Sequence, residues 1–182
     1  MARSKFKERE MNPIFFVFCE GESEKEYIEF LRSEYLRKII IVIEKIDGEC
    51  IKRHKDNKGF IPSKDKTFLI YDLDKGENLG KLRKIKNALV LYSNPCFELW
   101  YLIHHQNQTA SLSSTDCISE LKKYIANYQK GSLNEKHKQI LKYNQNIAIS
   151  RAKKLPEYKN PSTNLYEFLE ILKAMSEKHF II

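Results

Sequence analysis

The run Ile14-Phe-Phe-Val-Phe-Cys19 is continuously apolar, rich in aromatic and branched side chains, and stops abruptly at Glu20-Gly21. A strand that shows no alternation of polar and apolar residues has no face to offer to water. Such strands belong to parallel sheets covered by helices on both sides. The residues that follow agree. From Glu22 to Lys38, the apolar residues Tyr27, Phe30, Leu31, Tyr35 and Leu36 recur at helical spacing. Ile39–Ile43 reads as a second buried strand, Thr67–Tyr71 as a third and Ala88–Tyr92 as a fourth. Residues 47–66 are polar, contain two glycines and a proline, and are expected to form a long exposed loop. A short basic segment near residues 78–86 is expected to make about two helical turns, and Asn94-Pro95 opens an apolar helix from Cys96 to about His104.

From residue 111 onward the periodicity is helical only, in segments 114–128, 133–143, 145–155 and 163–178, with Ser162 or Thr163 as the expected N-cap of the last. Parallel neighbours need crossover connections, so this order predicts an α/β fold. Its core would hold about four mainly parallel strands between helices, followed by a helical C-terminal region. The expected division is a basic leader over 1–12, an α/β core over 13–110 and a helical extension over 111–182, packed together as a single domain.

Composition limits the function classes. No apolar run approaches the roughly 18 residues needed to cross a bilayer, so no membrane role is expected. The four cysteines (Cys19, Cys50, Cys96, Cys117) form no C-x-x-C pair, which disfavours a zinc site or a disulfide framework and fits a reducing cytoplasm. A formal charge of +8 suits attraction of a polyanion such as RNA or DNA.

Ligands of open parallel sheets gather where the strands end at their carboxyl side. Three strands here end in polar signatures: Glu20-Gly21-Glu22-Ser23-Glu24, Asp72-Leu73-Asp74 and Ser93-Asn94. Parallel strands would therefore bring Glu20, Asp72 and Asp74 to one rim. Glu24, four residues after Glu20, would return to the same side on entering the helix. Gly21 permits the sharp turn between strand and helix. Carboxylates gathered together repel one another unless a cation lies between them. Oxygen donors with no His or Cys among them favour Mg²⁺ or Mn²⁺. A cation so held can activate a nucleophile and stabilise a leaving oxygen in phosphodiester chemistry. Lys75, Lys81, Lys84 and Lys86 would then hold a nucleic-acid backbone. Simpler readings stand beside this one: an acid after a strand is often a first-turn helix charge, and either His104 or His105 would cap its helix through the dipole. No Walker or G-x-G-x-x-G motif is present, and the D-x-D segment lacks the spacing of an EF-hand.

The pair Glu20-Gly21-x-Ser23-Glu24 and Asp72-x-Asp74 resembles the Toprim signature of topoisomerases, DnaG-type primases and OLD-family nucleases. More specifically, CEGESEKEYIEFL, then SNPCFELWYLIHH at 93–105, then NPSTNLYEFLEIL at 160–172, is similar to the RloB family and the related AbiLii proteins. The resemblance implies a Toprim-like core and a metal-dependent nuclease acting on RNA (tRNA among the candidates) or DNA. It further implies a role in abortive infection and phage defence beside an RloA-type ATPase. By the same resemblance, Glu20, Glu24, Asp72 and Asp74 would be catalytic and metal-binding, with Mg²⁺ or Mn²⁺ as cofactor. Gly21, Lys75, Asn94, Glu98 and His104 would lie in or near the cleft. The segment from Asp74 to Ala88 is shorter than the family's usual crossover helix, which would leave one sheet face thinly covered and open to a partner. A non-catalytic subunit that binds nucleic acid or a partner is the alternative expectation.

Overall fold

The computed structural model describes residues 13–35, 38–44, 46–59, 61, 63–73 and 79–177. The expected leader 1–12, and with it Asp74 and Lys75, lies outside these residues. Five strands form one sheet: β1 (Phe15–Cys19), β2 (Ile39–Ile43), β3 (Lys66–Asp72), β4 (Ala88–Asn94) and β5 (Ser162–Thr163), in the order β2-β1-β3-β4-β5. The first four run parallel, and β5 joins β4 antiparallel through Ser93 opposite Thr163 and Asn94 opposite Ser162. The fold is thus the expected mainly parallel α/β sheet with helices on both faces and a helical C-terminal region.

Both faces of β1 are covered, as its unbroken apolar run requires. Phe15, Val17 and Cys19 enter one core with Phe68 and Ile70 of β3, while Phe16 and Phe18 enter the other with Leu69 and Tyr71. The first core is much the larger. It is built by α1 (Glu22–Tyr35), α4 (Glu98–His105) and the C-terminal helices α5 (Ser114–Lys122), α6 (Glu135–Tyr143), α7 (Gln145–Ala152) and α8 (Tyr166–Glu177). Helix α1 buries Tyr27, Ile28, Phe30 and Leu31, a stripe at three-to-four spacing. Phe168 of α8 sits against Phe15 and Phe68, with its ring centroid 4.6 Å from that of Phe68. The second core is closed by α2 (Gly48–Asn57) and the four-residue α3 (Leu79–Leu82).

Several sequence expectations need correction. Residues 48–57 form α2 within the segment expected to be a loop. Asp47 caps it, its carboxylate accepting from the backbone N–H of Cys50 at 2.8 Å. Only Cys50 and Ile51 of this helix are buried, so the apolar periodicity was too sparse to show. Strand and helix therefore alternate from β1 to α4, with each pair of successive parallel strands separated by a helix, and α4 to α7 follow one another before β5. Ser162 and Thr163 do not cap a helix. Ser93 Oγ and Thr163 Oγ1 lie 3.0 Å apart, and Asn164 Oδ1 accepts from Tyr92 N, fastening the segment to the edge of β4 before α8 begins at Tyr166. Strand β2 is less buried than its sequence suggests, with Ile43 exposed, because it is an edge strand with one neighbour.

Candidate metal centre

Parallel register decides which loops meet. Phe18 pairs with Leu69, and β3 and β4 pair as far as Asp72 with Ser93, so β1, β3 and β4 leave the sheet at one rim. Glu20 and Gly21 are half-buried immediately beyond β1, where the chain turns into α1. At Gly21 the turn is tight. A Cβ there would lie 2.3 Å from Glu24 Oε2, so the glycine lets that carboxylate fold back against the strand exit.

Asp72, the last residue of β3, follows Phe68 and Ile70 at the two-residue strand period toward the larger core. Helix α4 starts on that same side, and its first residue is Glu98. Three carboxyl groups are thus buried near the rim: Glu24 at 6% exposure, Asp72 at 8% and Glu98 at 1%.

Glu98 is the best defined of them. Its Oε1 accepts from Ser23 Oγ at 2.9 Å and from the Tyr128 hydroxyl at 3.1 Å, and Lys130 Nζ stands 3.5 Å from Oε2. Ser23 Oγ itself accepts from Gly131 N at 3.2 Å, and the Ser23 carbonyl accepts from the Tyr101 hydroxyl at 3.0 Å. The first turn of α1, the first turn of α4 and the segment 128–131 are therefore locked together around one carboxylate. Gly131 has φ +73, and a Cβ there would meet Glu22 Cβ at 2.6 Å, so this approach also depends on glycine.

The charges act on one another. Partial burial works against the Lys130 ammonium, but Glu98, then Cys96 and Asp72, more than offset it and raise its pKa. The Cys96 thiol is pushed up by its hydrogen bond with Cys117 and by burial, with Glu98 and Asp72 adding to the effect. Burial raises the Tyr101 phenol well above its ordinary range, and Glu98 and Glu24 contribute in the same direction. Asp72 and Glu98 thus both act on Lys130 and Cys96, and Glu98 and Glu24 both act on Tyr101, but among the described residues no three of Glu20, Glu24, Asp72 and Glu98 place one oxygen each within 4.8 Å of one another.

The other sequence candidates are placed as follows. Asn94 ends β4, and its Nδ2 donates to the Tyr158 carbonyl at 3.2 Å, which ties the strand to the loop before β5. Lys81, Lys84 and Lys86 are exposed on α3 and the turn that follows it. Nearby, the Arg83 guanidinium lies 4.2 Å from the centre of the Tyr158 ring, which in turn stacks on Tyr92. His104 is in the last turn of α4, at the opposite end from Glu98. It is buried, with Nδ1 2.8 Å from the Trp100 carbonyl. Burial lowers its pKa to about 3, and His105 and His137 oppose its charge as well. His104 is therefore a neutral core side chain, and the expectation that a charged histidine caps this helix fails for it. His105 is also lowered by burial, and stacks on Tyr124.

Sequence reasoning did not reach Tyr101, Tyr128 and Lys130. Tyr128 and Lys130 lie more than a hundred residues from Ser23 in a stretch read only as helical, where no motif marks them. The one available signal was the Tyr-x-Lys-Gly cluster that interrupts the helical pattern after residue 127.

A family model described as RloB-like protein matches residues 15–172, nearly the whole described chain. Neither the search of curated proteins nor the search of solved structures returned a match. Among the described residues, no helix is long and apolar enough to cross a membrane.

Proposed function

The chain belongs to the RloB-like family, and from that premise we propose that it is a metal-dependent nuclease whose rim carboxylates hold Mg²⁺ or Mn²⁺ for phosphodiester hydrolysis. One observation carries this reading. Glu24, Asp72 and Glu98 are each buried near the rim where parallel strands end, at a cost that a bound divalent cation drawing them together would offset. The donors are all carboxylate oxygens, which suits a hard cation. Glu20, half-buried at the same strand exit, would complete the set, and Asp74 follows Asp72 by two residues. A bound cation would polarise a phosphoryl oxygen and sharpen an attacking water.

This chain's own groups supply the rest. Ser23 and Tyr128 hold Glu98 in a single orientation, since both donate to the same oxygen. Lys130 is 57% exposed at its side chain and can turn from Glu98 toward a phosphate of the incoming strand. By the family resemblance, Glu20 would serve as metal ligand or as the general base that takes a proton from water. The Arg83–Tyr158 stack, against Tyr92 near the end of β4, would offer a base contact, and the exposed Lys81, Lys84 and Lys86, which lead back toward the start of that strand, would offer backbone contacts farther from the rim. A place in phage defence beside an ATPase subunit follows from the family resemblance and is part of the same proposal.

Labelled RNA and DNA incubated with the purified chain and Mg²⁺ or Mn²⁺ test it. Cleavage that needs the metal and disappears in Glu20→Ala/Asp72→Ala is expected. Metal-independent cleavage, or cleavage unchanged in that double variant, refutes it.

The bonding of Glu98 favours a second reading. Its contacts join α1, α4 and the 128–131 segment, as they would in a non-catalytic subunit that uses the carboxylates for architecture. On that reading Asp72→Asn leaves divalent binding, followed by calorimetry, absent in both forms.

A further inference from the structure

On the opposite face of the sheet, three side chains of different chemistry converge. Glu44 is the first residue past β2, and Cys50 and His54 lie one turn apart on α2. Glu44 Oε2 is 3.4 Å from Cys50 Sγ, and Glu44 Oε1 is 3.2 Å from His54 Nε2. One donor atom from each residue falls within 4.8 Å of the other two. Donors about 2.1 Å from a tetrahedral centre stand about 3.4 Å from each other, so a set whose three donor atoms lie within 4.8 Å needs only a modest contraction to hold an ion. We propose that Glu44, Cys50 and His54 form a second, independent site for a borderline-soft divalent ion of the Zn²⁺ class, with the fourth position open to water or a further ligand.

Three features support the assignment. The spacing of Cys50 and His54 places both on one side of a helix. The backbone N–H of Cys50 is fixed by the Asp47 cap, and the His54 ring meets Phe18 edge-on with centroids 6.0 Å apart, so both ligands start in ordered positions. The Arg53 guanidinium pairs with Glu44 Oε2, an outer contact that orients the carboxylate while Oε1 faces His54. A thiolate and an imidazole select Zn²⁺ over Mg²⁺, so this site differs in kind from the all-oxygen rim. Binding forms a sulfur–metal bond as the Cys50 thiol gives up its proton to solvent. The ion would then clamp α2, which buries little apolar surface of its own, to the end of β2. The absence of a C-x-x-C pair had argued against zinc from the sequence, but here the ligands come from a strand end and a C-x-x-x-H helix turn.

Co²⁺ titration of the full-length, reduced, metal-stripped chain tests the proposal. The expected result is one equivalent bound with tetrahedral visible bands and a near-ultraviolet thiolate-to-cobalt band, displaced by Zn²⁺ and unaffected by Mg²⁺. Cys50→Ser should abolish the thiolate band, and His54→Gln should weaken binding by more than about tenfold. His54 is only partly buried, so His54→Gln decides the matter if Cys50→Ser does not fold. Absence of a thiolate band at millimolar Co²⁺, persistence of the band in Cys50→Ser, or unchanged affinity in His54→Gln each overturns it. Nuclease activity is not a readout here, so the rim proposal stands or falls separately.

Discussion

Tyr128→Phe isolates one bond in the network that organises the rim. The substitution removes only the hydroxyl, which donates to Glu98 Oε1 at 3.1 Å and lies 3.3 Å from Ser23 Oγ. The ring, packed edge-on against Tyr101, remains. Ser23 keeps its bond to Glu98, so the carboxylate loses one of two short donors while staying buried. A hydrogen bond to a charged group contributes about 1.5–3 kcal/mol, against about 1 kcal/mol for a neutral pair. The expected loss is therefore about 1.5–3 kcal/mol, equivalent to roughly 3–12 °C in Tm for a chain of this size. Urea denaturation should show a lower midpoint at unchanged slope. Tyr124→Phe is the control: its hydroxyl bonds Gln106 on the exposed surface, and its loss should cost less than about 0.5 kcal/mol. A Tyr128→Phe protein within about 0.5 kcal/mol of the parent would refute the view that this hydroxyl helps hold the buried Glu98 side chain in place.

Other perturbations separate charge from packing. Lys130→Met should cost less than about 1 kcal/mol, because more than half of its side chain is exposed, but should raise Mg²⁺ affinity measured by calorimetry if Lys130 competes with the cation. Gly21→Ala should displace the Glu24 carboxylate without deleting it, so metal-dependent cleavage should fall by more than about tenfold while far-ultraviolet circular dichroism stays unchanged. Burial lowers the His137 pKa to about 4, and the buried neutral ring favours the folded state. Its stabilisation is present above about pH 6.5 and is lost as pH falls toward 4, by about 3 kcal/mol; His137→Gln should flatten that acid limb in urea titrations. Phe168→Ala, which empties the space between Phe15 and Phe68, should cost about 3–5 kcal/mol in the same assay.

Much of the fold could be read directly because the signals were local. An unbroken apolar strand such as Phe15–Cys19 states its own burial on both faces, and the stripe Tyr27, Phe30, Leu31 states the helix that covers one of them. The strand ends, with Glu20-Gly21 and Asp72, were legible because a parallel sheet sends every strand's carboxyl end to one rim. Helix α2 was missed since its stability rests on one cap and two buried residues, too few to produce a period.

What only tertiary structure decided was which distant residues meet those local signals. Glu98 belonged to a block that sequence could mark but not explain; the donors that fix it, Ser23 and Tyr128, come from 75 and 30 residues away. Nothing in the pattern near Lys130 or Gly131 announces a partner, because their surroundings are set by how α4 and α5 pack and not by their neighbours in the chain. The same holds for Glu44, Cys50 and His54, whose meeting depends on α2 folding back over the end of β2. Periodicity encodes which side of an element is buried, whereas the encounter of polar groups across elements is fixed only when the sheet and its helices close on a common core.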